Sequence, residues 1–298
     1  MAEPARAAPT PSAAQAEAAA ARLPPLVVEA ERIAATVMQG AHGRRRAGHG
    51  DAFWQFRPYL AGDAAARVDW RQSAKADRLF VRETEWEGAQ TVLLWRDPSP
   101  SMAWRSGKSL PEKGQRADLL LLALAALLLR GGERVRLLPG RGRAFMGRHA
   151  LPQIAATLAL PPLALPATAA PPQADMALPR HARLVLFGDF LQPLPEVQAA
   201  LASFAARPLR GQMVQVMDPA EETLPYQGRI RFEGLEGEAP LIVPRVETVR
   251  ALYAERLAAH REGLATFARG AGWGFTTHRT DHSPQTALLA LWQALSPT

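Results

Sequence analysis

The stretch Leu93–Trp104, LLWRDPSPSMAW, decides the reading of this chain. An apolar run ends in an aspartate, and hydroxyls follow at every second position: Asp97-x-Ser99-x-Ser101. Oxygens at positions one, three and five of a tight loop can converge on one point, which suits a hard cation such as Mg2+. Pro98 and Pro100 stiffen such a loop by fixing φ. The same five residues are also an ordinary polar turn ahead of a helix, because Ser and Asp favour turns and helix starts. The flanking sequence has to decide between the two.

Outward from this stretch, short apolar runs alternate with helical patterns. TVLLW (91–95), RVRLL (134–138), RLVLFGDF (183–190), QMVQVMD (212–218) and WGFTTHRT (273–280) read as strands. Between them, EKGQRADLLLLALAALLLRGG, GRHALPQIAATLAL, PEVQAALASFAAR and VETVRALYAERLAAHREGLATFARG read as helices, and SPQTALLALWQAL closes the chain as another. PYQGRIRFEGLEGEAP, ahead of the long helix, reads as a hairpin. This alternation predicts an α/β fold with a mostly parallel, doubly wound sheet flanked by helices. In such sheets ligands bind beyond the carboxyl ends of the strands. Asp97 and Asp189, the acid of FGD, both fall there, so the two acidic loops should share one rim.

The rest of the chain sets bounds. Its 298 residues, 48% hydrophobic and 21% charged, suffice for a sizeable core. Residues 1–25 are Ala/Pro-rich and predict a tail without fixed structure. Residues 26–87 predict a helix (26–40), a Gly/Arg loop and β-forming segments, an extension packed on the core of residues 88–298. There is no cysteine, which excludes disulfides and thiolate chemistry. LLLLALAALLL (119–129) is too short to span a bilayer. With no leader pattern at the N-terminus, a cytoplasmic protein is expected. The net charge of +7 is carried almost wholly by arginine, since Lys occurs only at 75, 108 and 113. Arginine suits carboxylate and phosphate partners.

Other constellations are weaker. WRSGKS (104–109) lacks the first glycine of a phosphate loop, where Met102 stands. His278, Asp281 and His282 lie close together but lack an evident further ligand for zinc. Arg44, Arg45 and Arg46 could contact phosphates or a protein partner. No nucleophile elbow is present, and an activity as an enzyme is not expected.

Several blocks together resemble a known family. GRRRAGHGDAFWQFRPYLAGDAAARVDWRQSAKADRLFVRETEWE carries Arg57, Tyr59, Gly62, Asp63, Arg67, Asp69, Trp70, Ser73, Ala74, Val81, Arg82 and Glu83 in the family's spacing; DPSPSM, FGDFL and MDPAEETLPYQG follow. Over about residues 38–295 the chain is similar to the proteins grouped as domain of unknown function 58 (DUF58), whose core is related to von Willebrand factor A domains. The resemblance implies a metal-ion-dependent adhesion site of Asp97, Ser99, Ser101 and Asp189, with Mg2+ completed by an acidic side chain from a protein partner. It also implies adaptor or co-chaperone work for a MoxR-type AAA+ ATPase, and hence binding without catalysis. The chain departs from the pattern where the site draws a threonine: PATAAPPQADMALP offers only Thr168, with Ala174 at the best-aligned place. Two alternatives stand beside the adaptor: a metal-free scaffold with a degenerate site, and a phosphate- or nucleic-acid-binding module built on Arg44–Arg46.

Overall fold

The computed structural model describes residues 25–38, 53–59, 68–75, 78–84, 90–139, 144–159, 178 and 182–295. The first helix, α1, covers 25–38. β1 (Phe53–Pro58) and β2 (Phe80–Thr84) pair antiparallel as a separate two-stranded sheet, with the short helix α2 (Trp70–Ser73) between them. β3 (Thr91–Arg96), α3 (Lys113–Arg130), β4 (Arg134–Leu138), α4 (Leu151–Ala159), β5 (Arg183–Gly188), α5 (Leu194–Ala205), β6 (Arg210–Met217) and α6 (Pro219–Thr223) follow. A hairpin of β7 (Ile230–Phe232) and β8 (Leu241–Val243) precedes α7 (Val246–Gly270), β9 (Gly274–Arg279) and α8 (Pro284–Leu295). The chain is α/β, with a parallel central sheet between layers of helices.

Five strands form that sheet in the order β4-β3-β5-β6-β9, every pair parallel. Alternation of side chains sends Val92 and Leu94 to one face and Leu93 and Trp95 to the other. The first face meets α3, whose Leu119–Leu129 are all buried, together with α4 and α8. Ala30, Ile33, Ala34 and Val37 of α1 join the same cluster, so the N-terminal segment shares the core of the sheet. The second face packs on α5 and α7 through Val197, Leu201, Phe204, Leu264 and Ala268. A helix apolar around most of its circumference belongs in an interior, which is why α3 runs through the middle of the larger layer.

Strand order fixes where a site can lie. Numbered within the sheet alone, the order is 2-1-3-4-5, so the direction in which successive strands are added reverses between β3 and β5. Loops leaving these two strands diverge to opposite faces and open a crevice at their carboxyl ends. They carry Asp97 and Asp189.

The DUF58-like block before the sheet has a structural role where it is described. Asp69 caps α2, accepting from Gln72 N–H at 2.9 Å. Ser73 Oγ donates to Asp69 O at 2.7 Å and accepts from Phe80 N–H at 2.9 Å, tying α2 to the start of β2. Arg44, Arg45, Arg46, Thr168 and Ala174 lie outside the described residues, as do the tail before residue 25 and most of the Pro-rich segment.

Candidate functional site

The site is assembled by backbone before side chains. Asp97 N–H donates to Phe187 O at 2.8 Å, continuing the β3–β5 ladder one residue past the sheet. Gly188 makes this closeness possible: a Cβ there would stand 3.1 Å from Asp97 Cβ and 3.1 Å from its Oδ2. Beyond Asp97 the chain turns through a short 3-10 helix (Pro100–Ala103) into α3. Asp97 Oδ1 accepts from Ser99 N–H at 2.8 Å and so closes the loop on itself.

The sequence-derived residues come together. Ser99 Oγ and Ser101 Oγ are 2.9 Å apart, and Ser101 Oγ donates to Asp189 Oδ2 at 2.8 Å. Asp97, Ser99 and Asp189 are buried and Ser101 is partly so. Neighbouring oxygens around an octahedral Mg2+ stand about 3 Å apart, given Mg–O distances of about 2.1 Å. The donor set therefore fits a hard cation in type and spacing. Burial, reinforced by the charge of Asp189, pushes the Asp97 carboxyl up to about 6. Among the described residues no cation lies within ion-pair distance of Asp97. A buried carboxylate in that state is relieved by a proton or by a metal ion.

Asp189 is different, because a cation already holds it. Lys113, the first residue of α3 and only 1% exposed, places Nζ 2.8 Å from Asp189 Oδ2 and 2.5 Å from Glu221 Oε1. Burial by itself would lower this ammonium's pKa; Asp189 and Glu221 outweigh it and hold the pKa above the ordinary lysine value. Glu221 is fixed by a capping box at the start of α6, where its Oε2 accepts from Asp218 N–H at 2.9 Å. Asp218 Oδ2 reaches back to Ser106 N–H at 2.9 Å, stapling the loop after the serines to the end of β6. Gln215 Nε2 donates to Asp189 O at 2.8 Å. From α7, His260 donates to Phe190 O at 2.6 Å, Tyr253 hydroxyl donates to Glu221 O, and Arg261 binds both Gln215 and Glu222. Phe190, next to Asp189, has φ 49°, a left-handed backbone that is costly for an aromatic residue. Packing of its ring near Trp95 and the bond to His260 hold it there.

Sequence reading did not give Lys113, Gln215 or His260 a role. Lys113 sits in EKGQRAD, which looks like any polar helix start, and its partners lie 76 and 108 residues away. Asp218 and Glu221 fall within the MDPAEETLPYQG block but carried no assignment. The 278–282 group does not form a metal cluster: among the described residues no three His, Cys, Asp or Glu side chains gather suitably. Asp281 instead pairs with Arg279 at 2.5 Å. Residues 104–109 form a turn in which Arg105 and Lys108 are exposed.

Comparison with known proteins agrees with the sequence blocks. The family model described as "Protein of unknown function DUF58" matches residues 55–263. An uncharacterized protein of Mycobacterium tuberculosis, Rv1480, is 26% identical over 260 residues, 82% of this chain and 80% of its own length; the Mycobacterium bovis protein Mb1516 matches equally. Two solved structures align more distantly. One is a conserved hypothetical protein, BatB, of Bacteroides thetaiotaomicron (15% identity, TM-score 0.32, 70% of this chain and 97% of that one). The other is an aerotolerance-related membrane protein of Bacteroides fragilis (17% identity, TM-score 0.33, 69% and 98%). The expectation of a cytoplasmic location is withdrawn, because it rested only on the lack of an apolar span and of a leader pattern. Among the described residues no helix is long and apolar enough to cross a membrane, and a bilayer is also reached without one.

Proposed function

Because the chain belongs to the DUF58 family, a grouping that carries no activity in its description, we propose its function from the rim: it is a non-enzymatic protein-binding module. Its crevice holds Mg2+ through Asp97, Ser99, Ser101 and Asp189 and offers that ion to an acidic side chain of a partner. The partner we propose is a MoxR-type AAA+ ATPase, the association that the family resemblance implies, with this chain as its adaptor. We further read the core as von Willebrand factor A-like, on the strength of the D-x-S-x-S-M stretch and the sheet order.

One observation carries this reading: the unbroken chain Ser99 Oγ–Ser101 Oγ–Asp189 Oδ2 beside an Asp97 with no cation within ion-pair distance among the described residues, at the point where the strand order reverses. Bound there, the ion supplies a positive charge and a site for an incoming carboxylate. The chain's own residues do the rest. Asp97 and Asp189 set the charge, the serines bring neutral oxygens, and Pro98, Gly188 and Asp218 hold the loops. Calorimetry with the MoxR-type ATPase of the same genome tests it. Binding is expected with Mg2+, and a loss of at least tenfold in affinity on chelation or in Asp97→Ala. Equal affinity in all three conditions overturns the metal-dependent reading. The metal-free scaffold is the second reading, favoured by the Lys113–Asp189 ion pair.

A further inference from the structure

We infer that Lys113 is a tethered cation that competes with divalent metal for the rim, so that this one side chain sets how strongly the protein depends on metal. The inference rests on the proposed metal site and concerns a residue for which neither the family match nor the resemblance gives a role.

The geometry is specific. Asp189 Oδ2 is the oxygen that Ser101 reaches, and it is the same oxygen that Lys113 Nζ holds at 2.8 Å. A metal ion drawing on Asp189 must therefore share that carboxylate with an ammonium or displace it. Displacement is resisted from two sides. Lys113 is anchored a second time on Glu221, at 2.5 Å. It also opens α3, whose first turn sits on the serine loop: a Cβ on Gly114 would lie 3.2 Å from Met102 O. Only 1% of Lys113 is exposed, so its stem is enclosed by the fold. Charge works the same way. Like charges a few ångströms apart repel, and a divalent ion doubles the repulsion that a single charge would feel. The ammonium offsets Asp189 and Glu221 and leaves Asp97 bare. The rim thus presents one available carboxylate to a metal rather than two, and hard-cation affinity weakens as charged ligands are lost.

Mn2+ titration of the full chain, with free Mn2+ read by electron paramagnetic resonance, tests this. Wild type, Lys113→Met, Lys113→Gln and Asp97→Ala are compared, with folding checked by circular dichroism. Wild type should bind weakly, both lysine variants at least tenfold more tightly, and Asp97→Ala not at all. Equal affinity in wild type and the lysine variants overturns the competition and leaves the metal site standing. No binding in any of them overturns both. Should both variants fail to fold, wild-type protein still answers. Lys75 and Lys108 are exposed, so Lys113 gives the slowly exchanging side-chain ammonium signal in 15N-edited NMR. Mg2+ at saturation should shift or broaden that signal, and a signal that stays fixed while Asp97 backbone resonances move overturns the proposal.

Discussion

Two polar clusters share the carboxyl rim of this sheet and handle burial in opposite ways. Around β3 and β5, Asp97, Ser99, Ser101, Asp189, Lys113 and Glu221 form a chain of charges and hydroxyls with partners at 2.5–2.9 Å. At the end of β9, Arg116 reaches Thr280 O at 2.8 Å, yet Arg116 Nε, His278 Nε2 and Thr280 Oγ1 are buried without a hydrogen-bond partner among the described residues. The first cluster is charged and bonded; the second keeps its histidine neutral. Burial, with Arg116 and His282 nearby, outweighs Asp281 and lowers the His278 pKa to about 4. The difference teaches where cost is stored. In a bonded charged network the cost appears when one member is removed, and around an unpaired histidine kept neutral it appears when that histidine becomes charged.

The largest effect expected from this contrast comes from Lys113. Lys113→Met leaves buried Asp189 and part-buried Glu221 without their cation and should lower stability by about 3–5 kcal/mol in urea unfolding. A loss below about 1 kcal/mol would mean that the ammonium is not holding the rim together.

Acid separates the two clusters next. His278 has a folded pKa of about 4, below its unfolded value of 6.5, so its contribution is complete above pH 6.5 and is lost as pH falls toward 4. The shift corresponds to about 3 kcal/mol. Asp97 runs the other way: its folded pKa of about 6 exceeds the unfolded 3.8, so metal-free protein gains from its protonation as pH falls across that interval. In chelator-treated samples, His278→Gln should therefore be more acid-resistant than wild type between pH 6.5 and 4, and Asp97→Asn less so. Parallel curves for all three would erase the distinction between the clusters.

Gly188→Ala gives a smaller effect. The new methyl would press on Asp97 at 3.1 Å and should cost about 1–3 kcal/mol, with Mn2+ affinity falling as the two acidic loops part. Unchanged stability and affinity would show that the loops tolerate separation. Smallest of all, Thr280→Val removes a hydroxyl that has no partner among the described residues. It should shift stability by less than about 1 kcal/mol, in the stabilising direction; a loss above that would reveal a bond that Thr280 makes.

Much of this was legible in the sequence because it is local or periodic. The strand 134–138 and the helix 246–270 fall where apolar runs and periodicity place them. Asp97 and Asp189 share the rim because parallel strands put their carboxyl ends on one side. What escaped has a common cause. Lys113, Gln215 and His260 act across 26 to 108 residues of chain, and nothing in their neighbourhoods differs from ordinary sequence of its kind. Lys113 was hidden most completely, since a lysine at a helix start is ordinarily exposed, and only the fold brings two acids to it. The β7–β8 hairpin was visible from its Gly-rich turn, GLEG, although its outward Leu241 and Ile242 were not. The location was not legible for a different reason: it was read from an absence.

The most direct test of the rim as a cation site is a crystal soaked in Mn2+ and measured at an anomalous wavelength, for wild type and Lys113→Gln. The account predicts a peak among Ser99 Oγ, Ser101 Oγ and the Asp97 carboxylate, weaker in wild type and strong in the variant with Asp189 drawn in. A peak elsewhere, or none at this rim in either crystal, would contradict it.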